Sequence, residues 1–135
     1  DRKLLYCDGT TLQIVSEAAE ASSIPYDIGG TLGGIPVSGS IILRYPLPRA
    51  VRFPVVLAGS QGVAGTASGA NATFSIRKNG TQFATMQFAA GISTATFTAA
   101  TATDFAAGDV LTILAPNPAD STLADIGFSL AASRL

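Results

Sequence analysis

The chain has no histidine. That removes the commonest general base and the commonest nitrogen ligand for metals, and with them the Ser-His-Asp and Cys-His arrangements of nucleophilic enzymes. Cysteine is represented once, by Cys7, so neither an internal disulfide nor a cysteine-based metal site can form, and Cys7 reads as a small apolar strand residue. Tryptophan is absent, and Asp, Glu, Lys and Arg together make only 13% of the residues, against about 25% in an ordinary soluble domain. The arginines at 44, 49, 52 and 77 are spread among hydrophobic segments. No clustered basic patch of the kind that displaces counterions from nucleic acid is legible, which excludes a nucleic-acid partner. No apolar run reaches the roughly 20 residues of a membrane span, and no signal peptide opens the chain. The first residue, Asp1, suggests processing or trimming from something longer.

What remains is a chain of 135 residues, 47% apolar and with a net charge of −1. Its length suits one domain, with a light core of Phe, Ile, Leu and Val diluted by alanine. A surface poor in charge and rich in Ala, Gly and Thr suits a subunit that packs against neighbours.

Strand signals run from end to end. Residues 3–7 and 10–15 flank Asp8–Gly9, a dipeptide favoured in tight turns, and read as a short hairpin. Residues 16–23 are the one helix-compatible stretch, too short to stand alone. Residues 27–40 (DIGGTLGGIPVSGS) read as a glycine-rich linker. The expected organisation is therefore an N-terminal hairpin and linker over 1–37 and a sandwich domain over 38–135.

Within the latter, odd positions carry the apolar residues: Ile41, Leu43, Tyr45 and Leu47, then Val51, Phe53, Val55 and Leu57. Pro46, Pro48 and Pro54 lack ladder donors, so these strands belong at an edge or are interrupted there. Further strands are expected at 72–78, 81–88, 94–98 with Ala95 and Phe97 inward, 110–115 and 124–131. Residues 58–71 form either a long loop or a flat strand. Period-two alternation with turns every 8–12 residues predicts an all-β antiparallel sandwich of seven to eight strands, jelly-roll or fibronectin-III/C1q-like.

The hairpin at Asn79–Gly80 allows a test of register. A two-residue loop pairs Ile76 with Phe83 and turns Met86 and Phe88 to solvent. A three-residue loop puts Phe74, Ile76, Ala84, Met86 and Phe88 on one face, with Phe83 outside. Because a one-residue slip reverses every side chain, the second buries more, and the expectation is a three-residue loop with Gly80 at positive φ.

Catalytic chemistry finds no footing. Ser60, in Gly59–Ser60–Gln61–Gly62, lacks the spacing and the strand-to-helix setting of a nucleophile elbow. Glycoside hydrolysis needs two facing carboxylates. Asp104, Asp109, Asp120 and Asp125 instead flank turns, where acids accept backbone N–H bonds, and they lack the dense spacing of a calcium loop. Asn71-Ala72-Thr73 and Asn79-Gly80-Thr81 match a glycosylation acceptor, which has meaning only in a eukaryotic secretory setting. Residues 29–34 hold glycines without a phosphate-loop lysine. The chain is expected to be no enzyme and to carry no cofactor.

Several short phrases, in order, carry a resemblance. They are 25–30 (PYDIGG), 41–45 with 48–54 (PRAVRFP), 57–60, 72–80 (ATFSIRKNG), 105–113 (FAAGDVLTI), 115–116 and 123–126. Over residues 24–134 the chain resembles a C-terminal β-sandwich module of bacteriophage tail fibre and tail-tip host-specificity proteins. The resemblance implies a non-enzymatic virion component. Its partners are other tail proteins, further copies of itself with a trimer favoured, and a bacterial surface receptor or glycan. A weaker likeness, carried by 105–111 and the final Phe128–Leu130 strand, is to the trimeric jelly rolls of the C1q and tumour-necrosis-factor type.

The expected contact loops are 58–71 and 115–122, with Gly59, Ser60, Gln61, Asn71, Asn117 and Asp120 as candidates. Asn79 and Gly80 are the structural turn. A carbohydrate-binding module is the alternative, with only Tyr6, Tyr26 and Tyr45 to offer a sugar.

Overall fold

Alternation of large apolar with small or polar residues continues upstream of the expected boundary, and the chain is strand from Pro25 onward. The computed structural model describes residues 24–118 and 120–135. Its strands are β1 (Pro25–Leu32), β2 (Ile41–Pro46), β3 (Val51–Phe53), β4 (Gln61–Thr66), β5 (Ala72–Lys78), β6 (Thr81–Phe88), β7 (Ala95–Thr98), β8 (Thr103–Phe105), β9 (Val110–Leu114) and β10 (Ala124–Arg134). The expected hairpin at 1–15, with Tyr6 and Cys7, lies outside the described residues.

Two antiparallel five-stranded sheets face each other. In the first, β10 pairs with β1 on one side and with both β4 and β3 on the other, and β3 pairs in turn with β8. The second runs β2-β9-β5-β6-β7. First strand pairs with last and second with ninth, so the chain is wound on itself as a jelly roll and not as the fibronectin-III alternative. A bridge between Val63 and Thr94 joins β4 to the margin of the second sheet beside β7. At the opposite seam the hydroxyls of Tyr26 and Tyr45 meet at 3.3 Å.

The inward set is as alternation predicts: Phe74 and Ile76, Ala84, Met86 and Phe88, Leu111 and Ile113, and Ile126, Phe128 and Leu130 are all buried. Ala95 and Phe97 pack against this core.

Several expectations are corrected. The glycine-rich segment is not a linker, because all eight residues of β1 pair with β10, from Pro25 opposite Ser133 to Leu32 opposite Ile126. The domain boundary therefore does not fall at 38. Residues 51–57 are not one strand: after Phe53 the chain makes a 3-10 turn at Val55–Leu57, which buries Leu57 and leaves Val55 exposed. A bulge between Ile41 and Leu43 turns Ile41 outward. Among the described residues ten strands replace seven to eight, because β1, β4 and β8 are built from glycine-rich or very short segments.

The hairpin loop has two residues, not three. Lys78 pairs with Thr81, and Asn79 (φ 50°) and Gly80 (φ 90°) are both left-handed, as a type I′ turn requires. The buried face is nonetheless the one expected, with Phe74 opposite Met86 and Ile76 opposite Ala84. A bulge between Ile76 and Arg77 leaves Phe83 without a partner and absorbs the change of parity. Phe83 does not stand outside, since its ring packs 5.8 Å from that of Phe53 and 5.5 Å from that of Phe105.

Candidate functional site: the loop end of the sandwich

Jelly-roll winding sorts the connections by end. Residues 33–40, 67–71, 89–94, and 115–118 with 120–123, meet at one end of the sandwich. The short turns at 47–50, 79–80 and 106–109 lie at the other, together with Ile24 and Leu135. There Arg134 N–H donates to Ile24 O and Leu135 N–H to Ala50 O.

The four loops of the first end are tied to one another. Gly39 N–H donates to Pro116 O at 3.0 Å, and Gly91 N–H to Ser68 O at 2.8 Å. Gly34 N–H donates to Asp125 Oδ1 at 2.8 Å. Asn71 Oδ1 accepts from Ala90 N–H at 3.0 Å. Ser68, 2% exposed, places its hydroxyl 3.3 Å from Ala89 O.

Asp120 is the main tie. Its carboxylate accepts N–H bonds from Gly69 (3.1 Å), Ala70 (3.0 Å), Thr122 (2.8 Å) and Leu123 (3.0 Å), and the hydroxyl of Thr122. These donors, Thr122 first, favour the ionised form and hold the carboxyl far below the usual carboxylate range. With its acceptor capacity so occupied, Asp120 fixes the β4–β5 loop against the β9–β10 loop and is not free to engage a ligand. Beside it, Ala70, Asn71, Thr73, Pro116, Asn117 and Pro118 line a groove of about 380 Å³. Of the six contact candidates, Asn71, Asn117 and Asp120 come together here.

Gly59, Ser60 and Gln61 do not join them. Ser60 Oγ accepts Ala131 N–H at 2.9 Å, pinning the entry of β4 to the far half of β10, and Gln61 opens β4 on the outer face of the first sheet. Asn79 and Gly80 lie at the opposite end. There Asn79 exchanges backbone and side-chain bonds with Val110 at 2.9 Å and donates from Nδ2 to Asp109 Oδ1 at 3.2 Å.

The other acids are engaged locally. Asp104 makes a two-pronged pair with Arg52 at 2.6 and 2.9 Å, which lowers its pKa. Asp109 accepts Ala106 N–H at 2.8 Å, which lowers its own. Among the described residues no three of His, Cys, Asp and Glu gather as a metal site needs, and no helix is long and apolar enough to cross a membrane. Tyr26 and Tyr45 are half-buried and meet through their hydroxyls at a seam between the sheets. The pairing of Asp120 with the residues 69–70 was missed in the sequence, although Asp120-Ser121-Thr122 is itself a turn-forming signature.

No protein-family model matches the chain, and neither a curated protein nor a solved structure matches it.

Proposed function

We propose that the chain is a non-enzymatic structural module of a phage virion, part of a tail fibre or tail tip, serving assembly and attachment to the host surface. The observation that carries this reading is polarity. The chain enters and leaves the sandwich at one end, where Pro25 pairs with Ser133, and the four tied loops lie at the other. The eleven residues of β10 separate the two ends by roughly 35 Å at about 3.3 Å per residue. A module tethered at its terminal end holds its loops outward, and stiff loops lose little freedom on contact. The order of short phrases over 24–134 supports the placement in a phage tail. Display as a homo-oligomer, a trimer by preference, multiplies weak contacts by avidity.

The test is adsorption of virions that carry charge at the loop end. Asn71→Lys with Asn117→Lys is expected to reduce adsorption at least tenfold, while Thr101→Lys, on the β7–β8 connection, leaves it intact. Unchanged adsorption and assembly with the loop-end pair would defeat the reading. The carbohydrate-binding alternative draws little from Tyr26 and Tyr45, whose hydroxyls face each other at 3.3 Å; its support lies on the outer face of the second sheet.

A further inference from the structure

The arginines that look scattered in the sequence are not scattered in space. Thr112, in the middle of β9, is paired with Arg44 of β2 on one side and Arg77 of β5 on the other. Leu111 and Ile113 point into the core, so Thr112 and its two cross-strand neighbours point outward. Two inter-strand steps of about 4.8 Å set the arginine Cα atoms roughly 10 Å apart, close enough for both side chains to converge on one small anion. Like charges so placed in one row repel. Among the described residues neither has a carboxylate partner; the outward side chains nearest the row are the apolar Ile41, Val110 and Leu114, and those farther out on β5 and β6 are hydroxyls and amides, such as Thr73, Ser75, Gln82, Thr85 and Gln87.

Two further details point to a ligand. Arg77 Nε donates to Ser75 Oγ at 3.0 Å, and that hydroxyl donates to Gln82 Oε1 at 2.7 Å, so the guanidinium is oriented while its terminal nitrogens have no partner among the described residues. Thr112 is 8% exposed and lines, with both arginines, a groove of about 320 Å³; its hydroxyl has no hydrogen-bond partner among the described residues. A buried hydroxyl without a partner is costly, and a bound acceptor removes that cost.

We infer that the Arg44–Thr112–Arg77 row is a binding site for a single oxyanion, carboxylate or phosphate, carried on a saccharide. Two guanidiniums match the oxyanion, and Thr112 supplies a neutral hydrogen bond. Ile41, Val110 and Leu114 wall the groove to the size of one sugar ring. The surrounding hydroxyls and amides suit a polyol. Two cations with no aromatic platform do not suit a nucleic-acid strand. The site stands apart from the loop end, so it survives or fails independently of the attachment reading.

The experiment is titration of the purified chain, followed by amide chemical shifts, with an oligoglucuronate, glucose 6-phosphate, a neutral glucose oligosaccharide and inorganic phosphate. An acidic saccharide is expected to bind saturably at millimolar concentration, moving the amides of Arg44, Arg77 and Thr112, with the neutral sugar inert. Which acidic saccharide binds identifies the oxyanion. Arg44→Gln and Arg77→Gln are expected to weaken binding about tenfold or more, the loss of a charge-assisted bond. Arg44→Lys, which keeps the charge and loses the fork, is expected to weaken it less. Because each glutamine also relieves repulsion, the melting temperature should hold or rise, the reverse of what a structural arginine gives. Should a glutamine variant unfold, Arg44→Lys and Thr112→Val carry the same reading. Equal binding of neutral and acidic sugars, parent-like binding by the variants, or binding of an adventitious ion only, inorganic phosphate without either acidic saccharide, would overturn the proposal.

Discussion

The ring of Phe128 lies over Gly30, its paired neighbour on β1; a Cβ at position 30 would stand 2.9 Å from Cζ of that ring. On its other side Phe128 pairs with Gly62, where a Cβ would stand 2.8 Å from Cβ of Ala95. The large side chain at the centre of the first sheet thus has a glycine on each flank. The consequences of filling those spaces differ. Ala95 Cβ is fixed to its backbone, whereas the Phe128 ring can swing. Gly62→Ala is expected to destabilise by about 1–3 kcal/mol, as overpacking of a core does, and Gly30→Ala by less. Gly33, whose added Cβ meets nothing within 4 Å, should tolerate alanine or gain stability of about 0.4–1 kcal/mol from a less flexible unfolded chain. Denaturant unfolding of the three variants decides it, and equal midpoints for Gly62→Ala and Gly33→Ala would remove the packing explanation.

The Asn79–Gly80 turn does more than reverse the chain. Asn79 sits at φ 50° and exchanges two hydrogen bonds with Val110, so the hairpin is tied to β9 through its turn. Gly80→Ala places a Cβ at φ 90° and should cost about 1–2 kcal/mol. Asn79→Gly keeps the left-handed geometry but removes the side-chain bond to Val110, and a loss of about 1 kcal/mol is expected for that bond alone. If Asn79→Gly is as stable as the parent, the side-chain half of the tie to β9 contributes nothing.

These positions show what was legible in the sequence and what was not. The inward face of β5 and β6 was legible because burial fixes it: Phe74, Ile76, Ala84, Met86 and Phe88 belong together whatever the loop length. The route was not legible, since a bulge that strands Phe83 serves the same end as an extra loop residue. The glycines of residues 27–34 read as a linker because local propensity opposes a strand there. What overrides it is a tertiary requirement, the space taken by Phe128, a hundred residues away in the chain by rough count. Acids at turns were legible as caps, and Asp120 is one. Its partners in residues 69–70 were not, nor was the Arg44–Thr112–Arg77 row, because both depend on which strands become neighbours.

Asp120 also gives the loop end a dependence on acid. Its folded pKa is depressed, so its contribution to stability is complete above the unfolded value of 3.8 and is lost as pH falls below that toward the folded value. Asp104 and Asp109 are depressed too and act in the same direction. At pH 7 Asp120→Asn is expected to lower the melting temperature by roughly 5 °C, because one oxygen that accepts backbone N–H bonds becomes a donor. The gap between parent and variant should shrink steadily on acidification below about pH 4. Scanning calorimetry at pH 7, 5, 3 and 2 gives the profile; a gap that does not change with pH would mean that the carboxylate charge is irrelevant to the tie.

Strain is stored at the turn between β3 and β4. Val56 has φ 52° and ψ 19°, a left-handed conformation that a β-branched side chain rarely takes, and it is 51% exposed. Leu57, next to it, is also left-handed at φ 49°, but its side chain is 1% exposed in the core. Burial of Leu57 holds the pair, helped by Val56 N–H donating to Ala99 O and Leu57 N–H to Pro54 O, each at 3.0 Å. The backbone cost at Val56 is therefore uncompensated by burial of its own side chain. Asparagine tolerates this region, so Val56→Asn is expected to stabilise the chain by about 1 kcal/mol. Val56→Gly should gain less, because glycine also frees the unfolded chain. Leu57→Gly, which relieves the same kind of strain but empties a core position, should instead cost about 2–5 kcal/mol. Thermal melts of the three separate the two effects. A Val56→Asn variant that melts below the parent would show that the contacts of Val56 with the Phe83–Thr98 groove outweigh the backbone strain.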